Sequence, residues 1–255
     1  MLDADARERF LRHILLKEVG AQGQLKLLSA RVLVVGAGGL GSPVIQYLAA
    51  AGVGLLGVAD DDRVALSNLQ RQTIYRDEDV GDAKTERAVA FARSLNPHLR
   101  TVAHGEKLDR GNASRIISSY DLVVEGIDSF AGRFSINAAC IETKRPLISA
   151  AIGRFEGQIS VFKPWAGAAL PCYRCLVPEA PPREEQVNCA DEGVIGPLAG
   201  VIGSMAALEA VKEIVGFGES LAGRLFLFDG LSSSARVVKL PRDPGCADCG
   251  RIDRR

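Results

Sequence analysis

The stretch Arg31 to Asp62, RVLVVGAGGLGSPVIQYLAAAGVGLLGVADDD, constrains the fold more than any other part of the chain. Val32 to Val35 form an unbroken β-branched and aliphatic run, as expected for a strand covered on both faces. Gly36, Gly38 and Gly41 complete the pattern G-x-G-x-x-G. The first glycine permits a tight turn, the second lets a ligand approach the backbone, and the third lets helix and strand pack closely. Apolar residues then recur at helical spacing as far as Gly52, and Leu55 to Ala59 read as a second strand ending at Asp60. A helix amino terminus offers free N–H groups to phosphate, and a carboxylate at the end of the next strand suits ribose hydroxyls. The pattern predicts a nucleotide-binding βαβ unit. By itself it leaves NAD, FAD and ATP open, and also a tight turn with no ligand.

Charge and composition narrow the classes. Lys+Arg and Asp+Glu are both 31 in 255 residues, which argues against a non-specific nucleic-acid binder. The start, MLDADARERFLRHILL, has no apolar run behind basic residues and does not read as a signal peptide. The uncharged run Val194 to Leu208 is too short to span a bilayer. A soluble, cytoplasmic protein with no membrane partner is expected. In that setting six cysteines, with two C-x-x-C pairs, point to metal or redox chemistry rather than to disulfides.

Before the first strand, Asp5 to Val19 predicts one amphipathic helix with the pairs Phe10/Ile14 and Leu11/Leu15, and Gln22 to Leu28 a short second one. Beyond Asp60, the run DDDRVALSNLQRQTIY crowds Asn68, Gln70, Arg71 and Gln72 where α/β proteins bind ligands, although a plain polar loop has the same composition. Asp82 to Leu95 reads as a helix capped by Asp82, with Lys84 in its first turn, where a cation opposes the helix dipole unless it serves an anion. Thr101 to Ala103 and Asp121 to Gly126 read as strands, and Ala113 to Ser119 and Phe134 to Thr143 as helices. Asp128, just past a strand expected beside the first, is a candidate magnesium ligand or a helix cap. Cys140 reads as a buried, inert thiol. Pro146 to Ala151 is a buried strand, and from Gly153 the alternating pattern suggests antiparallel strands, with Arg224 to Asp229 and Ala235 to Leu240 closing the sheet. A mostly helical Ile195 to Val215 lies between them. No linker divides the chain. The expected architecture is one α/β domain, a Rossmann-like doubly wound sheet whose parallel first half continues into antiparallel strands. Residues 1 to about 150 form its nucleotide-binding half.

Cys172, Cys175, Cys246 and Cys249 can make a four-thiolate zinc site, closed and therefore structural. Thioredoxin-like redox chemistry is the competitor, but neither pair follows a strand and opens a helix convincingly. Cys189 lies in a proline-rich loop without an evident partner. The histidines, 13, 98 and 104, have no neighbouring nucleophile, and G-x-S-x-G and the G-K-[ST] of a P-loop are absent. A phosphate cradle, a ribose acid, cations and a metal-type aspartate are the parts for nucleotidyl transfer.

GAGGLG, then D-x-D-x-V-x-x-SNLQRQ, VG-x-x-K, Asp128 with Arg133 five residues on, CYRC, NCADEGV, GVIGS and PGCADCG resemble, in order and spacing, the MoeB/ThiF/HesA family, with MoeB-type members nearest. These are bacterial relatives of ubiquitin-activating enzymes, and the resemblance runs from about Arg9 to Cys249. It implies an adenylyltransferase that activates the C-terminal glycine of a ubiquitin-like sulfur carrier ending in Gly-Gly, using ATP and Mg2+. Molybdenum cofactor, thiamin and thiolated tRNA or metabolite pathways use this chemistry, and a sulfurtransferase can supply the sulfur. Gly39 would lie against ATP in the turn with Gly36, Gly38 and Gly41, Asp60 would hold the ribose, and Asn68, Arg71 and Lys84 the phosphates. Asp62, Ser67, Gln70 and Ser129 would complete the nucleotide contacts, and Asp128 would bind magnesium. Arg12 resembles the arginine that reaches the ATP of the other subunit in a homodimer. The four paired cysteines match the family's Zn2+ ligands, and Cys189 its loop cysteine used by some members for thioester or disulfide chemistry. Residues from about 151 to 255 would bind the carrier and the zinc. Ser129 stands where asparagine is common, and Asp61 where an apolar or aromatic residue is common. The competing readings are an NAD-dependent oxidoreductase and a non-catalytic scaffold for ubiquitin folds; a dehydratase of a modified tRNA base shares only the nucleotide half.

Overall fold

The structure, a computed structural model, describes residues 2–182, 193–250 and 252. Eight strands make one sheet in the order β3-β2-β1-β4-β5-β6-β7-β8. They are β1 (Arg31–Val35), β2 (Leu55–Ala59), β3 (Arg100–His104), β4 (Leu122–Glu125), β5 (Leu147–Gly153), β6 (Glu156–Phe162), β7 (Arg224–Asp229) and β8 (Ser234–Lys239). The pairs from β3 through to β5 are parallel. Those from β5 through to β8 are antiparallel. The change of direction follows from connection length. A parallel return needs a crossover, whereas β5 and β6 are joined by a hairpin at Arg154 and Phe155.

Alternation along each strand builds two cores. Val32 and Val34 of β1, Leu122 and Val124 of β4, and Ile148 and Ala150 of β5 face one cluster. That cluster also takes in α3 (Gly20–Ser29), α4 (Gly41–Ala51), α5 (Lys84–Leu95) and, after the short α8 (Tyr173–Leu176), the long α9 (Gly196–Val215). Leu33, Val35, Val123 and Leu147 face the opposite cluster, with α6 (Ala113–Ile117) and α7 (Phe130–Thr143). Strands covered on both faces are why these runs are apolar at every position. The order reverses between β1 and β4, with β2 and β3 continuing away from β1 on one side and β4 and β5 on the other. A doubly wound sheet opens its ligand crevice at that point, beyond the strands' carboxyl ends.

Three local expectations are corrected. The single N-terminal helix is instead α1 (Ala4–Arg9) and α2 (Leu11–Ile14), broken at Phe10. Phe10 leaves helical geometry because its buried ring fills the space that a Cβ on Gly52 would occupy. Asp82 does not cap α5: the chain is bridged at Arg63 and Ala83, the helix starts at Lys84, and Asp82 binds Arg87. α7 starts at Phe130 rather than Phe134, with the Ser129 hydroxyl accepting from the Gly132 N–H at 3.3 Å. Ser129, not Asp128, is thus the cap. β2 and β7 have the expected bounds, and β1 starts one residue earlier than expected, at Arg31. The predicted thiol at Cys140 is 1% exposed, and burial pushes its pKa up.

Candidate nucleotide site and cysteine cluster

The glycine turn sits between the C-terminal end of β1 and the start of α4. Gly36 has φ +91°, a conformation that L side chains rarely adopt, and a Cβ on Gly41 would run into the Gly36 carbonyl. The turn is clamped from both sides at Ala37. Its N–H donates to Asp60 Oδ2 at 2.7 Å, and its carbonyl accepts from the Tyr75 hydroxyl at 2.8 Å. The other Asp60 oxygen accepts the Asp62 N–H at 2.8 Å. Burial pushes the Asp60 carboxyl upward, while Lys84 and the two backbone N–H groups pull it down. Asp60 therefore shapes the turn.

Tyr75 reaches the start of α5 as well, lying 3.3 Å from the Lys84 carbonyl. Burial holds its hydroxyl protonated far above the ordinary range. Removing that hydroxyl leaves the Ala37 carbonyl without its donor. Tyr75→Phe is expected to cost about 1–3 kcal/mol of stability, read from the urea midpoint, because a buried acceptor loses its partner.

Around this turn the structure gathers most of the predicted nucleotide residues. Arg71 packs its stem beside Gly39, where a Cβ would lie 3.3 Å from Arg71 Cγ, and its guanidinium donates to the Ser67 carbonyl at 3.0 Å. Asn68 accepts the Ala65 N–H and closes the short 3-10 turn that precedes Arg71. Gln72 is 3% exposed beside Gly38, with a side-chain oxygen that has no partner. Gln70 is exposed and lies against Gly196 at the start of α9. Lys84 is almost buried at 6% side-chain exposure and pairs with Asp62 at 2.7 Å, so the cation that the helix dipole disfavours is held by a carboxylate. Asp128 is exposed on the bend after β4, whose Ile127 side chain packs against Gly36. Oxygen donors at this crevice suit a hard cation such as Mg2+.

Arg12 is not part of this group. It is exposed on α2, and its neighbour His13 is tied through Gln24 to the Ala51 carbonyl at the far end of α4. An 11-residue helix is about 16 Å long. Cys189 lies outside the described residues.

Sequence reasoning missed the assembly beneath Asp128. Glu125 is 1% exposed at the end of β4, and the half of an ion pair that matches it is Arg133, also buried. Ser149 on β5 bonds Glu125 from the next strand. A carboxylate inside the apolar run DLVVEG was the available signal.

The two C-x-x-C pairs, far apart in sequence, meet. The four sulfurs lie within 4.8 Å of one another. Cys172 and Cys246 are 3.6 Å apart, Cys175 and Cys249 3.4 Å. Asp248, between the last two cysteines, accepts from Asn137 of α7 at 2.8 Å and pairs with Arg174 at 2.9 Å. The neighbouring Cys249 and burial push the Cys172 thiol far above its ordinary range, against the downward pull of its bonds to Cys246 and the Cys175 backbone. Four thiols crowded this closely could hold a metal ion, and an all-sulfur tetrahedral set suits zinc.

A glycine-turn crevice ringed by arginine, lysine and exposed carboxylates defines an α/β nucleotide-binding protein. The chain matches the ThiF family over residues 10–248 and belongs to it. It is 45% identical over 249 residues to the SAMP-activating enzyme E1 of Haloferax volcanii, covering 98% of this chain and 91% of that one. It is 46% identical over 245 residues to the sulfur carrier protein adenylyltransferase of Thermus thermophilus, covering 95% and 90%. Among solved structures, E. coli MccB with MccA-N7isoASN superposes with a TM-score of 0.83 at 21% identity, covering 96% of this chain and 74% of MccB. That last likeness concerns the fold alone. No helix among the described residues is long and apolar enough to cross a membrane.

Proposed function

We propose that this protein is an adenylyltransferase that uses ATP to activate the C-terminal glycine carboxylate of a ubiquitin-like sulfur carrier. The observation that carries the reading is the convergence of Arg71, Lys84 and Asp128 on the Gly36–Gly41 turn. An oxidoreductase using NAD has no need of that set. The named activities of the relatives from Haloferax volcanii and Thermus thermophilus support the same reading.

The chemistry follows from charge. A terminal carboxylate is ionised at neutral pH and needs no general base. Its oxygen attacks the α-phosphorus, the new O–P bond forms, and the bond to the β-phosphate breaks to release pyrophosphate. The obstacle is repulsion between the carboxylate and the triphosphate. Arg71 and Lys84 oppose it directly, with Asn68, Ser67, Gln70 and Ser129 orienting the phosphates and Asp60 the ribose. Asp128 would hold Mg2+, which supplies further charge neutralisation when bound. A sulfur donor then displaces AMP from the acyl-adenylate to give a thiocarboxylate, and Cys189 is a candidate for a covalent step with the carrier.

Residues 1 to about 150 act as the nucleotide half of a single domain, and those from about 151 as the carrier and zinc half. A groove of 880 Å3 across β5–β8 offers the carrier apolar side chains such as Phe155 and Phe228 among two cations, Arg154 and Arg236, and two carboxylates, Glu156 and Asp229. Arg12 reaches an ATP only from a second copy. Exposed Tyr47 on α4 and Val201 and Leu208 on α9 are apolar groups that a homodimer would cover. Dependence on ATP suits a cytoplasmic location. The cysteine cluster would hold one structural Zn2+. Metal analysis of the purified protein should find one zinc per chain, and Cys249→Ser should remove it and lower the unfolding midpoint.

The function is tested by incubating enzyme, ATP and magnesium with a Gly-Gly carrier, and following carrier mass and enzyme melting temperature. The reading expects an adenylylated carrier, none with the last glycine deleted, and stabilisation by ATP–magnesium rather than NAD. Stabilisation by NAD with an unmodified carrier would point to the oxidoreductase.

A further inference from the structure

We propose that Arg133 is a positioning residue of the nucleotide site, fixing the bend from which Asp128 projects. The inference rests on the reading of Asp128 as the metal-holding carboxylate. Arg133 is 7% exposed in the first turns of α7, and its Nε donates to the Ile127 carbonyl at 2.9 Å. Its Nη2 donates to the Ala150 carbonyl of β5 at 3.0 Å. Its Nη1 faces Glu125 at 3.2 Å and Ser149 at 3.3 Å. Glu125 in turn accepts the Ile127 N–H at 3.3 Å. Both polar groups of Ile127 are thereby held, one by each member of the buried pair. The residue fixed in this way immediately precedes Asp128, and its side chain lies on Gly36.

Stability alone does not account for this arrangement. A buried ion pair is commonly no better than apolar residues of the same volume. What the pair supplies is direction. The planar fork of arginine reaches a carbonyl on the bend after β4 and one on β5 at once, which the single ammonium of lysine does not reproduce. Groups that orient metal-holding residues typically change metal affinity or activity by about 10–100-fold when removed.

The test uses Arg133→Lys, which keeps a cation opposite Glu125, in the full-length protein. Manganese(II) binding to the enzyme with α,β-methylene-ATP is measured by electron paramagnetic resonance, beside the kinetics of carrier adenylation. Arg133→Lys is expected to weaken manganese binding about 10–100-fold. kcat should fall in step, while KM for the carrier stays within about threefold. Asp128→Asn should weaken manganese binding likewise, and the double variant should add little further loss. If Asp128→Asn weakens manganese and Arg133→Lys does not, the positioning role is overturned and the metal reading stands. If Asp128→Asn leaves manganese binding intact, the metal reading itself fails. Should Arg133→Lys not fold, Ser149→Ala removes one support without touching the charges. It should give a smaller loss in the same direction, and unchanged manganese binding there overturns the proposal.

Discussion

Replacing Lys84 by methionine is expected to slow adenylate formation about 10²–10³-fold while leaving the fold almost unchanged. The two effects separate because the two partners of Lys84 differ in exposure. Its own side chain is 6% exposed, whereas that of Asp62 is 68% exposed. Methionine fills nearly the same buried volume, and the Asp62 carboxylate left behind is solvated, so stability loses little. An incoming triphosphate, by contrast, meets a crevice that has lost one of its cations while Asp62 and Asp128 remain. Single-turnover assays with saturating carrier, beside a urea melt of the same preparation, measure both quantities. A variant that adenylates at the parent rate would remove Lys84 from the phosphate site.

Arg133→Met should act in the opposite way, through stability and with a definite pH dependence. Removing one partner of a buried pair costs about 3–5 kcal/mol because the other is left uncompensated. Here the survivor is Glu125, which burial already pushes above its ordinary 4.5 against the downward pull of Arg133 and the Ser149 bond. Without the guanidinium its folded-state pKa rises further. A carboxyl raised in the folded state adds stability that is complete below its unfolded value and is lost as pH climbs through the folded one. The deficit of Arg133→Met should therefore grow as pH rises from about 5 to about 8, on top of a pH-independent cost from the Ile127 and Ala150 carbonyls left without their donor, read from urea midpoints at each pH. A deficit that shrinks as pH rises would mean that Glu125 is not the group left stranded.

Much of the framework was legible because its cause is local. Val32 to Val35 and Leu55 to Ala59 are apolar at every position, and the strands have those cores. The glycine pattern located the turn, and two cysteine pairs announced a cluster that the fold closes to within 4.8 Å. The misses are cases where a distant residue overrides a local preference. Phe10 continues a helical pattern, but its ring is claimed by Gly52, so the helix breaks. Asp82 is a good cap by type, yet Arg87 takes its carboxylate. Lys84 looked misplaced against a helix dipole until Asp62 supplied its partner. Asp128 and Ser129 both suit a cap, and only the geometry of α7 separates them. Tyr75, Glu125 and Ser149 join strands and loops that sequence spacing cannot bring together. Arg133 was visible as a motif residue, but its role depends on carbonyls from the bend after β4 and from β5.

The most direct measurement of the central claim is carrier-dependent exchange of labelled pyrophosphate into ATP, which reads reversible acyl-adenylate formation. With magnesium and a carrier ending in Gly-Gly, the protein should catalyse exchange. Omission of the carrier should abolish it, and Arg71→Ala should remove it while retaining the parent's unfolding midpoint. Absence of exchange across a panel of such carriers, with a folded and ATP-binding enzyme, would contradict the account.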